Sequence, residues 1–494
     1  MATLEVRLAD QLETPDVLAV PVRPADEDDE PAVLAVDAAD LPDGVAEVCT
    51  PFLTDVKHSG GAGASHALPL PLGTVRKVLF VGVGDGEAGD WRAVGAAVTR
   101  GASGKETAAV VVPGDLAPDA LAALTEGALL ASYRFRLTED DPDDDTPELR
   151  TVTVVVSDPQ RYAEAHQRAV VHAEATNLAR DLTNTPSVDK RPDQLADLIA
   201  RTASEHGLRV TVRDPKALAD EGFGGILAVG SGSSHGPRLV EFAWEPPQAT
   251  RHVVLVGKGI TFDTGGISIK PRNGMLLMKK DMGGVASVVA TAIGAARLKL
   301  PVRVTVLAPL AENLVGADSY RPGDVVRHYG GITTEVLNTD AEGRMVLADA
   351  LAYATQELKP DVVVDLATLT GAAAVALGKR TAALFSDGDE LAEQLTTAAE
   401  RAGEKVWRLP LPEDYVRLLE SDVADLNNAP GMTEGAGSIT AALFLREFVG
   451  SYADRWAHID MSNVSWADSA DAELAKYATG WGVRTLLHWL SAQN

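Results

Sequence analysis

The chain has 494 residues, 46% hydrophobic and 23% charged, a globular composition in a length that exceeds what one core usually serves. Its 71 acidic residues outnumber 44 Lys and Arg, and the resulting net charge of −27 disfavours nucleic acid and anionic membrane as general partners. Cys49 is the only cysteine, which excludes an intrachain disulfide and a thiolate metal cluster and fits a reducing cytoplasm.

The first sixteen residues, MATLEVRLADQLETPD, are acidic and lack the basic start and apolar run of a signal peptide. Residues 1–157 alternate short apolar runs with helical patterns. The β-branched runs at residues 77–82 (KVLFVG) and 151–157 (TVTVVVS) are expected central strands. Acidic stretches at residues 26–30 and 139–145 stand beside prolines and read as solvated loops. Ser157-Asp158-Pro159 is a helix start, and a helical pattern over residues 158–182 ends before Asn184-Thr185-Pro186. It reads as a helix connecting two domains, residues 1–157 and 183–494.

From Arg191 onward strands and helices alternate. Strands are expected at residues 252–257 (HVVLVG), 302–308 (VRVTVLA) and 361–365 (DVVVD), and helices at 283–298 and 344–357. The fold class is therefore α/β, with two domains that are each a mainly parallel or mixed sheet flanked by helices. The longest apolar stretch, residues 366–378, is too short and too rich in threonine and glycine to span a membrane.

In such sheets sites form at the carboxyl ends of strands, and here polar residues crowd two of those ends. One block, GKGITFDTGGISIKP (residues 257–271), follows HVVLVG and leads to KKDMGG (279–284) at a helix start. The other, NTDAEGR (338–344), also opens a helix. Together they hold four carboxylates, Asp263, Asp281, Asp340 and Glu342, with Lys258, Lys270 and Arg344. Hard divalent cations take oxygen ligands, and two adjacent cations need carboxylates that bridge them. Acids at a helix start are also favoured by the helix dipole alone, and lysines can simply neutralise acids. Neither bland reading accounts for two lysines and four acids around strand ends. The ten histidines include no His-Glu-x-x-His, so a histidine-type zinc site is not expected.

These segments resemble the signatures of the leucyl aminopeptidase family of cytosolic metallopeptidases. The resemblance continues through Ala311-Glu312-Asn313, Tyr320-Arg321-Pro322-Gly323-Asp324, residues 365–371 (DLATLTG) and 456–460 (WAHID), covering about residues 170 to 490. It implies a tighter metal site of Lys258, Asp263, Asp281 and Glu342, and a more exchangeable one of Asp263, Asp340 and Glu342. It places the two non-ligand catalytic residues on Lys270 and Arg344, with Arg344 holding a bicarbonate. Met278, Thr368, Leu369 and Gly371 would line the pocket for the substrate's N-terminal side chain. The same resemblance implies peptide substrates, two divalent ions per subunit with manganese or zinc favoured, a homo-hexamer and a cytoplasmic location. Lys279-Lys280 beside Asp281, and the aromatic residues of 477–482 (YATGWG), depart from the family pattern and bear on specificity.

Two further motifs are set aside. Gly84, Gly86 and Gly89 match G-x-G-x-x-G, but Asp85, Glu87 and Asp90 would repel a pyrophosphate. Residues 232–236 (GSSHG) match G-x-S-x-G, yet the following residues 238–244 read as a strand, so a hairpin turn is expected rather than a nucleophile elbow. The competing functions are a DNA-binding regulator, which the negative charge opposes, and an inactive metal-binding relative, which the presence of Lys270 and Arg344 opposes.

Overall fold

A computed structural model describes residues 4–26, 30–72, 75–138, 146–429 and 435–493. The acidic stretch 139–145 and residues 27–29 of the other one lie outside the described residues. Contacts group the chain into two compact units, Met1–Glu174 with Asp468–Lys476, and Ala175–Ala467 with Tyr477–Asn494.

The first unit is built on a seven-stranded sheet in the order Glu5–Ala9, Thr151–Val155, Thr107–Val111, Val17–Arg23, Val75–Gly82, Ser65–Leu72, with Val33–Leu34 paired to Val17–Arg23. Its central strand VLAVPVR is buried on both faces, and its side chains alternate between two cores. Val17 and Ala19 pack with Trp91, Val94 and Leu121, whereas Leu18, Val20 and Val22 pack with Val45, Cys49 and Leu53. The segment Asp468–Lys476 belongs to this unit, where Arg100 donates to the carbonyls of Ala472 and Leu474 at 2.6 and 3.1 Å. No sequence pattern announced that return.

The G-x-G-x-x-G segment enters the helix Ala88–Gly101. The Asp90 carboxylate accepts from the backbone amides of Asp85 and Glu87, so two of the donors a phosphate would need are already taken.

A single helix, Pro159–Asn184, covers the expected connecting segment, and Asp158 accepts from the Gln160 amide at its start. The second unit then builds a nine-stranded mixed sheet. Its path runs Val406–Arg408, Ala382–Phe385, Trp456–Asp460, Val362–Ala367, His252–Gly257, Arg303–Asn313, Arg238–Trp244, Arg209–Arg213, with Gly259–Asp263 paired to the far end of Arg303–Asn313. The central strands Trp456–Asp460, Val362–Ala367, His252–Gly257 and Arg303–Asn313 are mutually parallel, and Arg238–Trp244 runs antiparallel to them.

Parallel strands joined by helical crossovers are covered on both faces, which explains HVVLVG as a near-continuous apolar run. Val253 and Leu255 face the core formed with helix Gly283–Arg297, whereas Val254 and Val256 face helix Glu342–Tyr353. The Arg303–Asn313 strand extends five residues past the expected end, because its last turns pair with Gly259–Asp263, a segment read from sequence as loop. Helix Glu342–Tyr353 starts two residues earlier than expected and ends in a wider-wound turn, Ala354–Leu358.

The hairpin expected at residues 232–236 is not formed. A helix, Gly224–Gly230, precedes that segment, and only the strand Arg238–Trp244 follows as expected. The apolar GGILAVG run before it packs on helix Glu342–Tyr353, which favours a helix over a strand. The order helix, turn, strand is the reverse of a nucleophile elbow. Among the described residues, no helix is long and apolar enough to cross a membrane.

Cys49 is 1% exposed beneath the first sheet, and burial pushes its thiol up to about 11. At pH 8 the thiol is protonated as well as inaccessible, so a disulfide reagent should read no thiol in the native chain and one after unfolding in denaturant. Stoichiometric labelling of the native chain at pH 8 would contradict this.

Candidate metal centre

Lys258, Asp263, Lys270 and Asp281 stand at or after the carboxyl ends of strands of the nine-stranded sheet, whereas Asp340, Glu342 and Arg344 follow the strand Thr333–Glu335 of a separate three-stranded sheet. Lys258 follows His252–Gly257, and Asp263 closes Gly259–Asp263. Asp281 sits in the turn before helix Gly283–Arg297, and Glu342 is the first residue of helix Glu342–Tyr353. Parallel packing aims the ends of the main sheet's strands in one direction, and the loop of Asp340 and Glu342 meets them there, so side chains far apart in sequence converge.

Lys258 lies at the bottom. Its Nζ is 2.8 Å from Asp281 Oδ2 and 2.9 Å from Glu342 Oε1, and it donates to the Thr368 carbonyl at 2.9 Å. Lys258, Asp263, Asp281 and Glu342 are all 5% exposed or less. Gly343 makes room for the lysine, since a Cβ there would come within 2.5 Å of Lys258 Cε. Lys270 lies nearer the surface, with Nζ 2.8 Å from Asp263 Oδ2 and 2.5 Å from Asp340 Oδ1. The loop reaches back this way because Gly265 and Gly266 adopt φ of +86° and +62°, conformations that only glycine takes without strain.

Six of the seven charged residues thus form two adjoining ion-paired sets, Lys258 with Asp281 and Glu342 and Lys270 with Asp263 and Asp340, in which two lysines face four acids. Asp263, Asp340 and Glu342 each offer an oxygen within 4.8 Å of the others. Burial, then the facing Asp263 carboxylate, pushes the Glu342 carboxyl up to about 8. Burial likewise raises Asp281 and Asp340 above the usual carboxylate range. Burial opposes the charge on Lys258 and Lys270, yet the surrounding carboxylates outweigh it and hold both ammonium groups above their ordinary value. Raised carboxyls of this kind mark a site short of positive charge, which a divalent cation would supply. Glu342 Oε2 is buried with no hydrogen-bond partner. A buried carboxylate oxygen left bare in a cluster of oxygen donors fits a hard cation.

Arg344 projects from the first turn of helix Glu342–Tyr353, its guanidinium 5.9 Å from the Phe444 ring centre. Its Nε is buried without a partner, and burial pushes its pKa down to about 10. A planar cation with an unfilled donor is suited to a planar anion.

Of the residues expected to line a pocket, Thr368 joins the charged cluster directly, its Oγ1 donating to Asp281 Oδ1 at 2.8 Å. Met278 stands in the turn that carries Asp281, whose amide donates to the Met278 carbonyl. The Leu369 amide donates to Asp460, and Gly371 opens helix Gly371–Leu377 with open space where a side chain would project. Sequence reading missed Lys190. This lysine is 1% exposed and donates to the carbonyls of Leu182, Thr183 and Lys279, which ties the Asp281 turn to the end of helix Pro159–Asn184. Its surroundings in sequence, Asp189-Lys190-Arg191, look like an ordinary polar loop and carry no sign of burial.

Residues 177–487 match the family model described as cytosol aminopeptidase family, catalytic domain, and residues 19–139 match the N-terminal domain of that family. The chain belongs to the cytosol aminopeptidase family. As a member it is a metal-dependent aminopeptidase. It is 42% identical to a probable cytosol aminopeptidase of Corynebacterium glutamicum over 89% of this chain and 87% of the relative. It is 41% identical to a probable cytosol aminopeptidase of Streptomyces avermitilis over 96% and 94%. Among solved structures it resembles the bottromycin maturation enzyme BotP in complex with Mn, at a TM-score of 0.84 and 39% identity, covering 97% of this chain and 99% of that one. The fold class and the family read from the signature segments both hold.

A Cβ at Gly265 would meet the Ser268 carbonyl at 2.6 Å and Asp340 Oδ1 at 2.9 Å. Gly265→Ala should therefore destabilise the metal-free chain by about 1–3 kcal/mol, read from urea denaturation in chelator. An unchanged denaturation midpoint would mean that the loop relaxes without strain.

Proposed function

We propose that this aminopeptidase releases N-terminal residues, with a broad apolar preference such as leucine, from peptides in the cytoplasm. The observation that carries the site assignment is the convergence of Asp263, Asp340 and Glu342 beside a second acid, Asp281, and two lysines. Lys258, Asp263, Asp281 and Glu342 would hold the tighter divalent ion, and Asp263, Asp340 and Glu342 the more exchangeable one, manganese or zinc by the oxygen-rich donor set. When bound, the two ions supply a water activated for attack near neutral pH and a polarised scissile carbonyl.

The protein's own groups do the rest. Lys258 would hold the ion only as the neutral amine, so metal affinity is expected to rise with pH. Lys270 shares its donors between Asp263 and Asp340, and as an ammonium beside the site it would stabilise the oxyanion. Arg344 would hold a bicarbonate on its planar fork, a group able to supply proton-relay chemistry there. Thr368, Leu369, Gly371 and Met278 receive the N-terminal side chain, and a flexible thioether at Met278 suits a range of apolar groups. The family resemblance supports a homo-hexamer, which sedimentation velocity measures directly.

Leucine p-nitroanilide should be hydrolysed by the manganese-loaded enzyme and not after chelation. No metal-dependent release from any of several aminoacyl anilides would refute the assigned reaction. Arg344→Ala should lower kcat by about 10²–10⁴-fold while metal content stays at two ions per chain. Wild-type turnover in that variant would remove Arg344 from the reaction.

A further inference from the structure

Asn313 is the last residue of the strand Arg303–Asn313, 0% exposed, and it stands in register beside Asp263. Its Nδ2 donates to Asp263 Oδ1 at 2.8 Å and to the Thr339 carbonyl at 3.0 Å. One amide group therefore grips the carboxylate of one loop and the main chain of the other, one residue before Asp340. Both contacts are acceptors, so only the NH2 end of the side chain can face them. The opposite end, Oδ1, is buried with no hydrogen-bond partner. A buried amide that leaves its acceptor unfilled is held in place by what its donor does.

The Asn313 grip is the centre of a set of cross-links between the same two loops. The Thr264 amide and hydroxyl both donate to the Asn313 carbonyl, at 3.0 and 2.8 Å. Thr339 Oγ1 donates to the Gly265 carbonyl at 2.6 Å and accepts from the Ser268 amide at 2.8 Å. Tyr320 donates to the Thr339 carbonyl at 2.8 Å, alongside Asn313. Asp263 Oδ1 also accepts from the Gly265 amide at 2.8 Å, which leaves Oδ2, now against Lys270, as the oxygen open to exchange. By contrast, Asp281 is fixed independently by Lys258 and Thr368.

We infer that Asn313 is the positioning residue that sets the geometry of the exchangeable metal site, by fixing Asp263 relative to the loop of Asp340. The inference rests on the ligand assignment above. The site that draws on both loops depends on this grip, whereas the site completed by Asp281 and Lys258 depends on it less. Residues that orient metal ligands typically change metal affinity by about 10–100-fold when replaced.

The test is a Mn2+ titration of the full chain after chelator treatment, with free Mn2+ followed by electron paramagnetic resonance. Asn313→Asp keeps the shape and replaces a donor with an acceptor facing two acceptors. It should raise the dissociation constant of the weaker Mn2+ by about tenfold or more, and shift that of the tighter Mn2+ less. More Mn2+ should be needed for half-maximal activity, with substrate KM near wild type once Mn2+ saturates. Thr339→Val removes the hydroxyl cross-links from the other loop, and should weaken the same Mn2+ even if Asn313→Asp unfolds. A purely structural role would instead lower the melting temperature and leave both affinities unchanged in the folded variant. Two wild-type Mn2+ affinities in any folded variant of the pair would overturn the inference. Asp340→Asn in the same titration separates the two levels. If it too binds both ions as wild type, the ligand assignment fails. If it loses the weaker ion while Asn313→Asp does not, only the role of Asn313 falls.

Discussion

The structure of the second unit turns on one constraint: a buried ammonium, Lys258, held among carboxylates where water cannot reach it. Charges taken out of water are stable only when paired closely and completely. Lys258 meets that condition with Asp281 on one side, Glu342 on the other and the Thr368 carbonyl beneath. These three partners come from two helix starts and one strand end. The pairing therefore locks the central strands and the helix starts into one arrangement, and Gly343 is required because the lysine stem occupies the space of a side chain there.

The same cluster is poised rather than satisfied. Four acids share two lysines, burial raises the carboxyls of Asp281, Asp340 and Glu342 above their ordinary range, and Glu342 Oε2 has no donor. Bound divalent cations would supply the missing positive charge, so under the proposed ligand assignment metal binding and stability would be coupled through one set of groups. Arg344 stands apart from this ion-pair network, its Nε buried without a hydrogen-bond partner.

Around the charged centre lies a neutral frame. Asn313, Thr339, Tyr320 and Ser268 cross-link the two acid-bearing loops by hydrogen bonds that carry no net charge and do not compete with the acids for cations. Lys190 performs a similar service for the Asp281 turn, with backbone carbonyls in place of carboxylates. Carbonyl partners satisfy its donors without adding to the negative charge near the site.

Local periodicity and short glycine-flexed motifs were enough to read the fold class, the family and the strand HVVLVG, and to single out the charged residues of the proposed site. The acids beside Gly84 were visible in the chain, and there Asp90 accepts from the Asp85 and Glu87 amides. Partners across space set the rest. The strand ending at Asn313 is long because it pairs with Gly259–Asp263, a partner that no local pattern declares. The residues before Ser233 form a helix because they pack on helix Glu342–Tyr353, where residue propensity alone left the choice open. Asp468–Lys476 returns to the first unit through contacts more than 370 residues away in sequence. Burial of Lys190, and the donor role of Asn313, likewise depend on partners distant in the chain. Hydrogen bonds and burial are set by what lies across space, and a linear pattern reports only what lies alongside.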